Sequence, residues 1–181
     1  MRILGIDPGS IVCGYGVVEI INKKITLIEY GVVEAKKQHS ELPRRLEAIF
    51  NRIGSVIDRA HPDEAVIESV FFAKNAQSLA KLSHARAAGM LAATLKQIPV
   101  NEYSAKEVKR AVTGNGNASK EQVQFMVKTM LDIEETPDFF DATDALAVAI
   151  CHALKANAPR SRAKSWKQFV EQNPEKIAKK Q

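Results

Sequence analysis

Four acidic residues stand where their side chains could act together. Asp7 closes one short, buried-looking strand and Glu68 closes another. Neighbouring strands of a sheet lie about 5 Å apart, so acids at two strand ends can share one site if the strands are adjacent and suitably oriented. Asp141 and Asp144 are spaced i, i+3 and therefore share one face of a predicted helix.

Carboxylates that are brought together repel each other, and the usual compensation is a hard dication with oxygen ligands. Mg²⁺ typically takes one or two carboxylates and completes its shell with water and phosphate. Two such ions about 4 Å apart stabilise the attacking and leaving oxygens of an in-line displacement at phosphorus. The pattern therefore predicts a metal-dependent phosphodiester hydrolase in which Asp7, Glu68, Asp141 and Asp144 are both the catalytic residues and the metal ligands.

Each acid also has a plainer interpretation. Asp7 precedes Pro8-Gly9 and could be a turn residue, and Glu68 could be a solvated strand end. Asp141 and Asp144 could simply complement the dipole of a helix N-terminus. The joint pattern favours a shared site, because two interior strands and one apolar helix would otherwise have to carry these acids by chance.

The predicted elements that must position these acids form an α/β fold. Three strands in a meander are followed by alternating strands and helices, which indicates a mixed five-stranded sheet with helices on both faces. The last helix is small and apolar over residues 145–150 and is expected to lie against the sheet. The predicted strands cover residues 2–7, 14–19, 25–34, 64–68 and about 100–103. The predicted helices cover residues 42–60, 75–97, 104–112, a stretch from Ser119, and 141–154. Ile49, Ile53 and Ile57 recur at helical spacing in the first helix, and Ser119 forms a predicted capping box with Gln122.

The distribution of charge divides the chain near Lys155. Residues 155–181 hold eight Lys and Arg against two Glu, a net charge of +6, which leaves −1 for the rest of a chain whose total is +5. We therefore expect a domain over residues 1–154 and a disordered basic tail over residues 155–181. A basic tail favours a polyanionic partner, although a solvated end that merely aids solubility remains an alternative.

Composition argues against membrane and secreted classes. The most apolar stretch, Ala145–Cys151, is far shorter than the ~20 residues of a membrane helix, and the first residues lack the pattern of a signal peptide. Cys13 and Cys151 have no zinc-site spacing and are expected to be reduced thiols. The chain is therefore expected to be cytoplasmic.

Several motifs together resemble RuvC, the bacterial family of Holliday-junction resolvases. The motifs are Gly5–Gly9, Ile67–Phe71, Ala73–Ala76, the Gly-rich loop before Ser119-Lys120, and Asp141–Ala147. They occur in the family's order and spacing over about residues 1–154, and the tail is not part of the resemblance.

The resemblance implies a ribonuclease-H-like fold, a homodimer, and Mg²⁺-dependent paired nicks across a four-way DNA junction during recombination and repair. It also implies work alongside a RuvA–RuvB branch-migration complex, and Mn²⁺ is expected to substitute for Mg²⁺. The family's four acids carry over to Asp7, Glu68, Asp141 and Asp144, although some members have His at the position of Asp141.

Three DNA-binding residues also follow from the resemblance. Lys109 and Lys120 match basic positions near the scissile phosphate, and Phe71 matches an aromatic residue that contacts bases at the crossover. Taken alone, both lysines could be ordinary surface residues, and Phe71 could pack in the core with Phe72.

The helical segment over residues 73–97 is the predicted dimer contact. It holds eight alanines together with Gly89, and small side chains let two backbones approach closely. We expect one face, with Leu79, Leu82, Leu91 and Leu95, to cover the sheet and another to meet a second copy. A monomer that packs all the small residues inside is the alternative.

Two other functions compete with a nuclease. An ATPase of the actin, Hsp70 or sugar-kinase type also begins with a β-meander and an Asp-x-Gly turn, but it needs a second homologous half. A non-catalytic junction-binding module would not need the four acids.

Overall fold

The order of strands and helices expected from the sequence is found in the computed structural model, with one short helix added. The structure describes residues 1–69, 75–134 and 140–157. The elements in chain order are β1 (Arg2–Asp7), β2 (Cys13–Ile21), β3 (Lys24–Val33), α1 (Ala35–Gln38), α2 (Leu42–Ala60), β4 (Glu64–Ser69), α3 (Ala76–Thr94), β5 (Val100–Ser104), α4 (Ala105–Thr113), α5 (Lys120–Leu131) and α6 (Phe140–Asn157).

The five strands form one mixed sheet in the order β3-β2-β1-β4-β5. The β1–β2 and β2–β3 pairs are antiparallel, as short connections require, whereas β4 and β5 lie parallel to β1 and to each other after helical crossovers. The carboxyl ends of β1, β4 and β5 therefore meet at one edge of the sheet. We call this the catalytic edge, because Asp7 and Glu68, two of the residues predicted to be catalytic, lie there.

Helices cover both faces of the sheet, as predicted. Helices α2 and α3 pack on one face, where the buried Ile49, Ile53 and Ile57 confirm the helical spacing read from the sequence. Helices α4, α5 and α6 pack on the other face, around the buried Leu146 and Ile150.

Glycines in the sheet let α6 lie unusually close to it. A Cβ atom at Gly5 would clash with the carbonyl oxygen of Ala145, and one at Gly14 would clash with the carbonyl oxygen of Asp141. A Cβ atom at Gly16 would lie 2.5 Å from Cδ2 of Leu146. Every residue from Ala145 to Ala153 is buried, so the prediction that this helix covers the sheet is confirmed.

The prediction for the faces of α3 is wrong. The residues that α3 buries are Ala85, Ala88, Gly89, Ala92 and Ala93. The leucines expected to cover the sheet point elsewhere: Leu91 is 53% exposed and Leu95 is 70% exposed, while Leu79 and Leu82 are only partly buried. Small residues face the sheet because Ile6 and Ile67 project from it, 3.4 Å and 3.9 Å from the position of a Cβ atom on Gly89.

The predicted boundary at Lys155 falls inside α6, which continues to Asn157. The rest of the predicted tail, residues 158–181, lies outside the described residues. Cys13 and Cys151 are buried free thiols on opposite faces of the sheet. Among the described residues, no helix has the length and apolar character needed to cross a membrane.

Candidate active site

The parallel pairing of β1 with β4 brings the first two acids together. The register aligns Ile6 with Ile67, so Asp7 and Glu68 are the next residues on neighbouring strands. Both side chains are only partly buried, although the strands that carry them are interior.

Helix α6 brings the other two acids to the same edge. Asp141 lies in its first turn, directly over Gly14, and Asp144 follows one turn later. Because α6 rests on the glycines of β1 and β2, the first turn of α6 comes close to the end of β1. The acids therefore reach the catalytic edge from two strands and one helix.

A cavity of about 290 Å³ gathers most of the predicted site residues, and we call it the carboxylate cavity. Its charged lining residues are Asp7, Glu68 and Asp144 together with Lys109 of α4 and Lys120 of α5. Asp141 lines a neighbouring and larger cavity instead. Phe71 lies outside the described residues.

Burial and mutual repulsion perturb the acids of this cavity. The pKa of Asp7 is raised well above its ordinary value, first by burial and then by the charges of Asp144, Glu68 and Asp141. Burial and the charge of Asp144 likewise raise the pKa of Glu68. Asp141 therefore belongs to the same electrostatic cluster although it opens into the other cavity.

Lys120 neutralises part of the negative charge of these acids. Its Nζ donates a hydrogen bond to Oδ2 of Asp144 at 2.9 Å, and this contact raises the pKa of the lysine. The Lys120 side chain is 65% exposed, so the ammonium group is also accessible to a ligand. The charges of Lys120 and Lys109 both act to lower the pKa of Glu68.

Capping boxes fix the two helices that carry the lysines. Ser119 and Gln122 form the box predicted at the start of α5, which places Lys120 at the first helical position. Ser104 and Glu107 form a second box at the start of α4, and Lys155 of α6 pairs with Glu107 at 2.9 Å. Lys109 is therefore carried on a helix that is tied to both β5 and α6.

The chemistry of the donor set fits a divalent cation that prefers oxygen ligands. Three carboxylates line one cavity, and the raised pKa values of Asp7 and Glu68 reflect first their burial and then the neighbouring negative charge, which a dication would relieve. Within the described part of the chain, no group of three or more His, Cys, Asp or Glu side chains is already gathered at metal-ligand spacing.

The structure also shows basic residues that the sequence did not reveal. Lys36, Arg45 and Lys81 line the larger cavity beside Asp141. They come from α1, α2 and α3 and have no common spacing along the chain, so only the packing of three helices could bring them together.

The fold and the chain resemble proteins of one family. The model of the family described as crossover junction endodeoxyribonuclease RuvC matches residues 3–152. A solved structure described as T. thermophilus RuvC in complex with Holliday junction substrate is 34% identical, with a TM-score of 0.80, and the match covers 86% of this chain and 94% of that one. The yeast mitochondrial Holliday junction resolvase Ydc2, at 12% identity and a TM-score of 0.63, shares the fold alone over 94% of this chain and 83% of that one. The predicted ribonuclease-H-like fold is confirmed.

Curated relatives align over most of their length. The protein named crossover junction endodeoxyribonuclease RuvC from Cytophaga hutchinsonii is 43% identical over 175 residues, which is 97% of this chain and 87% of that protein. The protein of the same name from Geobacter sulfurreducens is 46% identical over 156 residues, or 86% of this chain and 94% of that one. The first alignment extends into the predicted tail, although the motifs of the resemblance lie within residues 1–154. The chain belongs to the crossover junction endodeoxyribonuclease RuvC family.

Proposed function

We propose that this chain resolves Holliday junctions by cutting phosphodiester bonds of the DNA. The proposed catalytic residues are Asp7, Glu68, Asp141 and Asp144. The observation that carries the proposal is the carboxylate cavity, in which three acids and two lysines meet in a member of an endodeoxyribonuclease family. The relative whose structure is described as a complex with Holliday junction substrate supports a four-way junction as the DNA substrate.

The cofactor in this proposal is Mg²⁺, with Mn²⁺ as a substitute. Asp7, Glu68 and Asp144 would hold it, and Asp141 would contribute from the first turn of α6. When bound, the metal supplies a Lewis acid that stabilises charge on the reacting phosphate oxygens and lowers the pKa of bound water. Oxygen ligands and an excess of negative charge support this choice over a softer metal.

The two lysines of the cavity bind and orient the DNA backbone in this proposal. Lys120 extends from the start of α5, where exposed backbone N–H groups also favour an anion. Lys109 faces the same cavity from α4. A phosphate in the cavity would therefore meet positive charge from two helices beside the acids that line the same cavity. Phe71 is proposed to stack on a base at the crossover.

The assembly in this proposal is a homodimer, because a four-way junction has two symmetry-related strands to nick. An isologous dimer would place two copies of the site on one junction. The exposed Leu91 of α3 and Leu95, the C-cap residue one turn further on, form the apolar surface that supports this contact. A RuvA–RuvB branch-migration complex, a cytoplasmic location and a role in recombination and repair complete the proposal.

A nicking assay on a four-way junction tests the function, with linear duplex of the same sequence as the control. We expect paired nicks that leave 5′-phosphate and 3′-hydroxyl ends when Mg²⁺ is present, no nicks in EDTA, and little cutting of the duplex. Junction binding without nicking under any divalent metal would favour a non-catalytic binding module instead.

A further inference from the structure

A second cavity adjoins the carboxylate cavity on the other side of the sheet. It has a volume of about 740 Å³ and is formed by the turn after β1 and by the start of four helices. Asp141 lines this cavity, and Asp144, one helical turn further on, lines the carboxylate cavity, so the two meet at the start of α6. We call it the basic cavity, because Lys36, Arg45 and Lys81 line it.

The basic cavity carries unbalanced positive charge. Among the described residues that line it, Lys36, Arg45 and Lys81 face a single acid, Asp141. Their neighbours Lys37 and Arg44 form ion pairs with Glu34 and Glu47. In contrast, none of the three cavity cations forms an ion pair with any residue in the ranges 1–69, 75–134 and 140–157.

The contacts around the cavity hold these cations close to the catalytic edge. The backbone N–H of Lys36 donates to the carbonyl oxygen of Ile11 at 3.0 Å, which ties α1 to the turn that follows Asp7. The guanidinium of Arg45 donates to the carbonyl oxygens of His39 and Ser40 and so fixes the connection between α1 and α2. The cavity is therefore part of the folded body rather than a chance meeting of long side chains.

We propose that the basic cavity binds the phosphates that flank the scissile phosphate on the same DNA strand. This inference rests on the proposed function, since it takes the carboxylate cavity as the place of cutting. Lys109 and Lys120 approach the catalytic edge from the α4–α5 side of the sheet, and Lys36, Arg45 and Lys81 approach it from the α1–α3 side. A strand that crosses the edge meets cations on both sides of the acids, and the second set fixes which phosphate lies over them.

The first test measures how junction affinity depends on salt for the full chain in EDTA. Lys36→Gln with Lys81→Gln removes two charges, whereas Arg45 is left intact because it holds the α1–α2 connection. The matched control is Lys23→Gln with Lys24→Gln, which removes the same charge from the β2–β3 turn at the opposite edge of the sheet. Log affinity falls as log salt concentration rises, and each lost phosphate contact reduces the steepness of this fall by about one.

We therefore expect the slope of the Lys36/Lys81 variant to be shallower than that of the wild type by about two, with an unchanged melting temperature. The Lys23/Lys24 control should keep the wild-type slope. Equal slopes for the wild type, the variant and the control overturn the inference. Equal losses in the variant and the control also overturn it, because they would show an effect of net charge alone.

The second test locates the contact on the DNA. Junctions that carry one neutral methylphosphonate, placed in turn at each phosphate on either side of the cut, remove one negative charge at a time. The wild type should lose affinity at one or two adjacent positions, and the Lys36/Lys81 variant should be insensitive at those same positions. A variant that loses affinity at every position as the wild type does contradicts the contact.

These measurements separate the two proposals. A wild type that binds and cuts the junction, beside a variant with unaltered slope, overturns the basic-cavity contact and leaves the proposed function standing. A wild type that binds but never cuts with Mg²⁺ overturns the proposed function, and the slopes and methylphosphonate positions then decide only whether the cavity contacts phosphate. A wild type that does not bind the junction overturns both.

Discussion

At the scale of single residues, the raised pKa of Asp7 means that this carboxyl lowers the stability of the folded, metal-free protein at neutral pH. A carboxyl whose pKa is higher in the folded state than in the unfolded state weakens folding once the pH exceeds the unfolded value, about 3.9 for Asp. The cost is absent below that value, grows as the pH rises, and is complete above the raised pKa. Stability should therefore be lost on going from acidic to neutral pH.

Replacing Asp7 with Asn should relieve this cost. In EDTA at pH 7 we expect the Asp7→Asn protein to melt at least about 2 °C higher than the wild type, the scale of ~1 kcal/mol in a domain of this length. The difference should vanish near pH 3, where the carboxyl is protonated in both states. Asp132→Asn, an exposed acid at the end of α5, is the control and should change little. A lower melting temperature for Asp7→Asn at pH 7 would show that Asp7 is not under electrostatic strain.

The lysines of the carboxylate cavity should matter for cutting far more than for folding. An exposed ion pair such as Lys120–Asp144 contributes about 0–1 kcal/mol to stability. A hydrogen bond to a charged phosphate is worth about 1.5–3 kcal/mol, so Lys109→Ala and Lys120→Ala should each slow cleavage by about tenfold or more. Cleavage rates and melting curves, with Lys24→Ala as the control, separate the two effects. Normal cutting by both variants would remove these lysines from the site.

At the scale of elements, the catalytic edge depends on how closely α6 lies on the sheet. Gly14→Ala would place a methyl group against the backbone of Asp141, so α6 must shift or the strand must bend. Overpacking of this kind costs about 1–3 kcal/mol, and the shift moves both Asp141 and Asp144.

We expect Gly14→Ala to lower the melting temperature and to reduce cleavage by more than the loss of folded protein explains. Gly54→Ala in α2 is the matched control, because its new methyl group would meet only Cε of Lys96 at an ordinary 3.6 Å. That substitution should be neutral or slightly stabilising, since Ala is the better helix former. Equal behaviour of the two variants would show that the close approach of α6 is not required.

The sequence predicted the elements better than it predicted their faces. The order of strands and helices, the Ser119 capping box and the apolar α6 follow from local patterns and are confirmed, whereas several strand and helix ends differ from the prediction by one to three residues. The faces of α3 could not be read because both its leucines and its alanines are apolar, and the choice depends on Ile6 and Ile67, which leave room only for small residues. The basic cavity could not be predicted from the sequence either, because its cations lie far apart in the chain and only helix packing brings them together.

At the scale of the whole molecule, the burial of the small residues of α3 moves the proposed dimer contact to another face of this helix. Ala88 and Gly89, which belong to the segment predicted as the dimer contact, are buried against the sheet. A bulky charged residue at either position should unfold the domain rather than separate a dimer. The exposed Leu91 and Leu95 are the residues to change.

Sedimentation tests the dimer. The wild type should sediment at about twice the chain mass of 19.9 kDa, and Leu91→Glu with Leu95→Glu should sediment near the chain mass itself with an unchanged melting temperature. Phe125→Glu on α5, which replaces another large exposed hydrophobic residue, should remain a dimer. A monomeric wild type that still makes coupled paired nicks would contradict the arrangement.

The predicted basic tail, residues 155–181, is the other feature that concerns the whole molecule. Deleting residues 158–181 should leave the melting temperature nearly unchanged, because this segment has few periodic apolar positions. Junction affinity at low salt should fall, since the deletion removes seven Lys and Arg. A large loss of stability in the truncated protein would instead show that the tail packs on the domain.

The proposed function requires that the carboxylates at the catalytic edge take part in cutting the junction but are not needed to bind it. The most direct measurement is the single-turnover nicking rate of a four-way junction in Mg²⁺ for the wild type and for Asp7→Asn, Glu68→Gln, Asp141→Asn and Asp144→Asn, with junction affinity measured alongside and Asp132→Asn as the control. We predict that each of the four variants nicks at least ~10²-fold more slowly, since metal-assisted stabilisation of the transition state is worth several kcal/mol, while binding stays close to that of the wild type. Near wild-type nicking by any one of them would contradict the role of that residue, and metal-independent nicking by the wild type would contradict the mechanism as a whole.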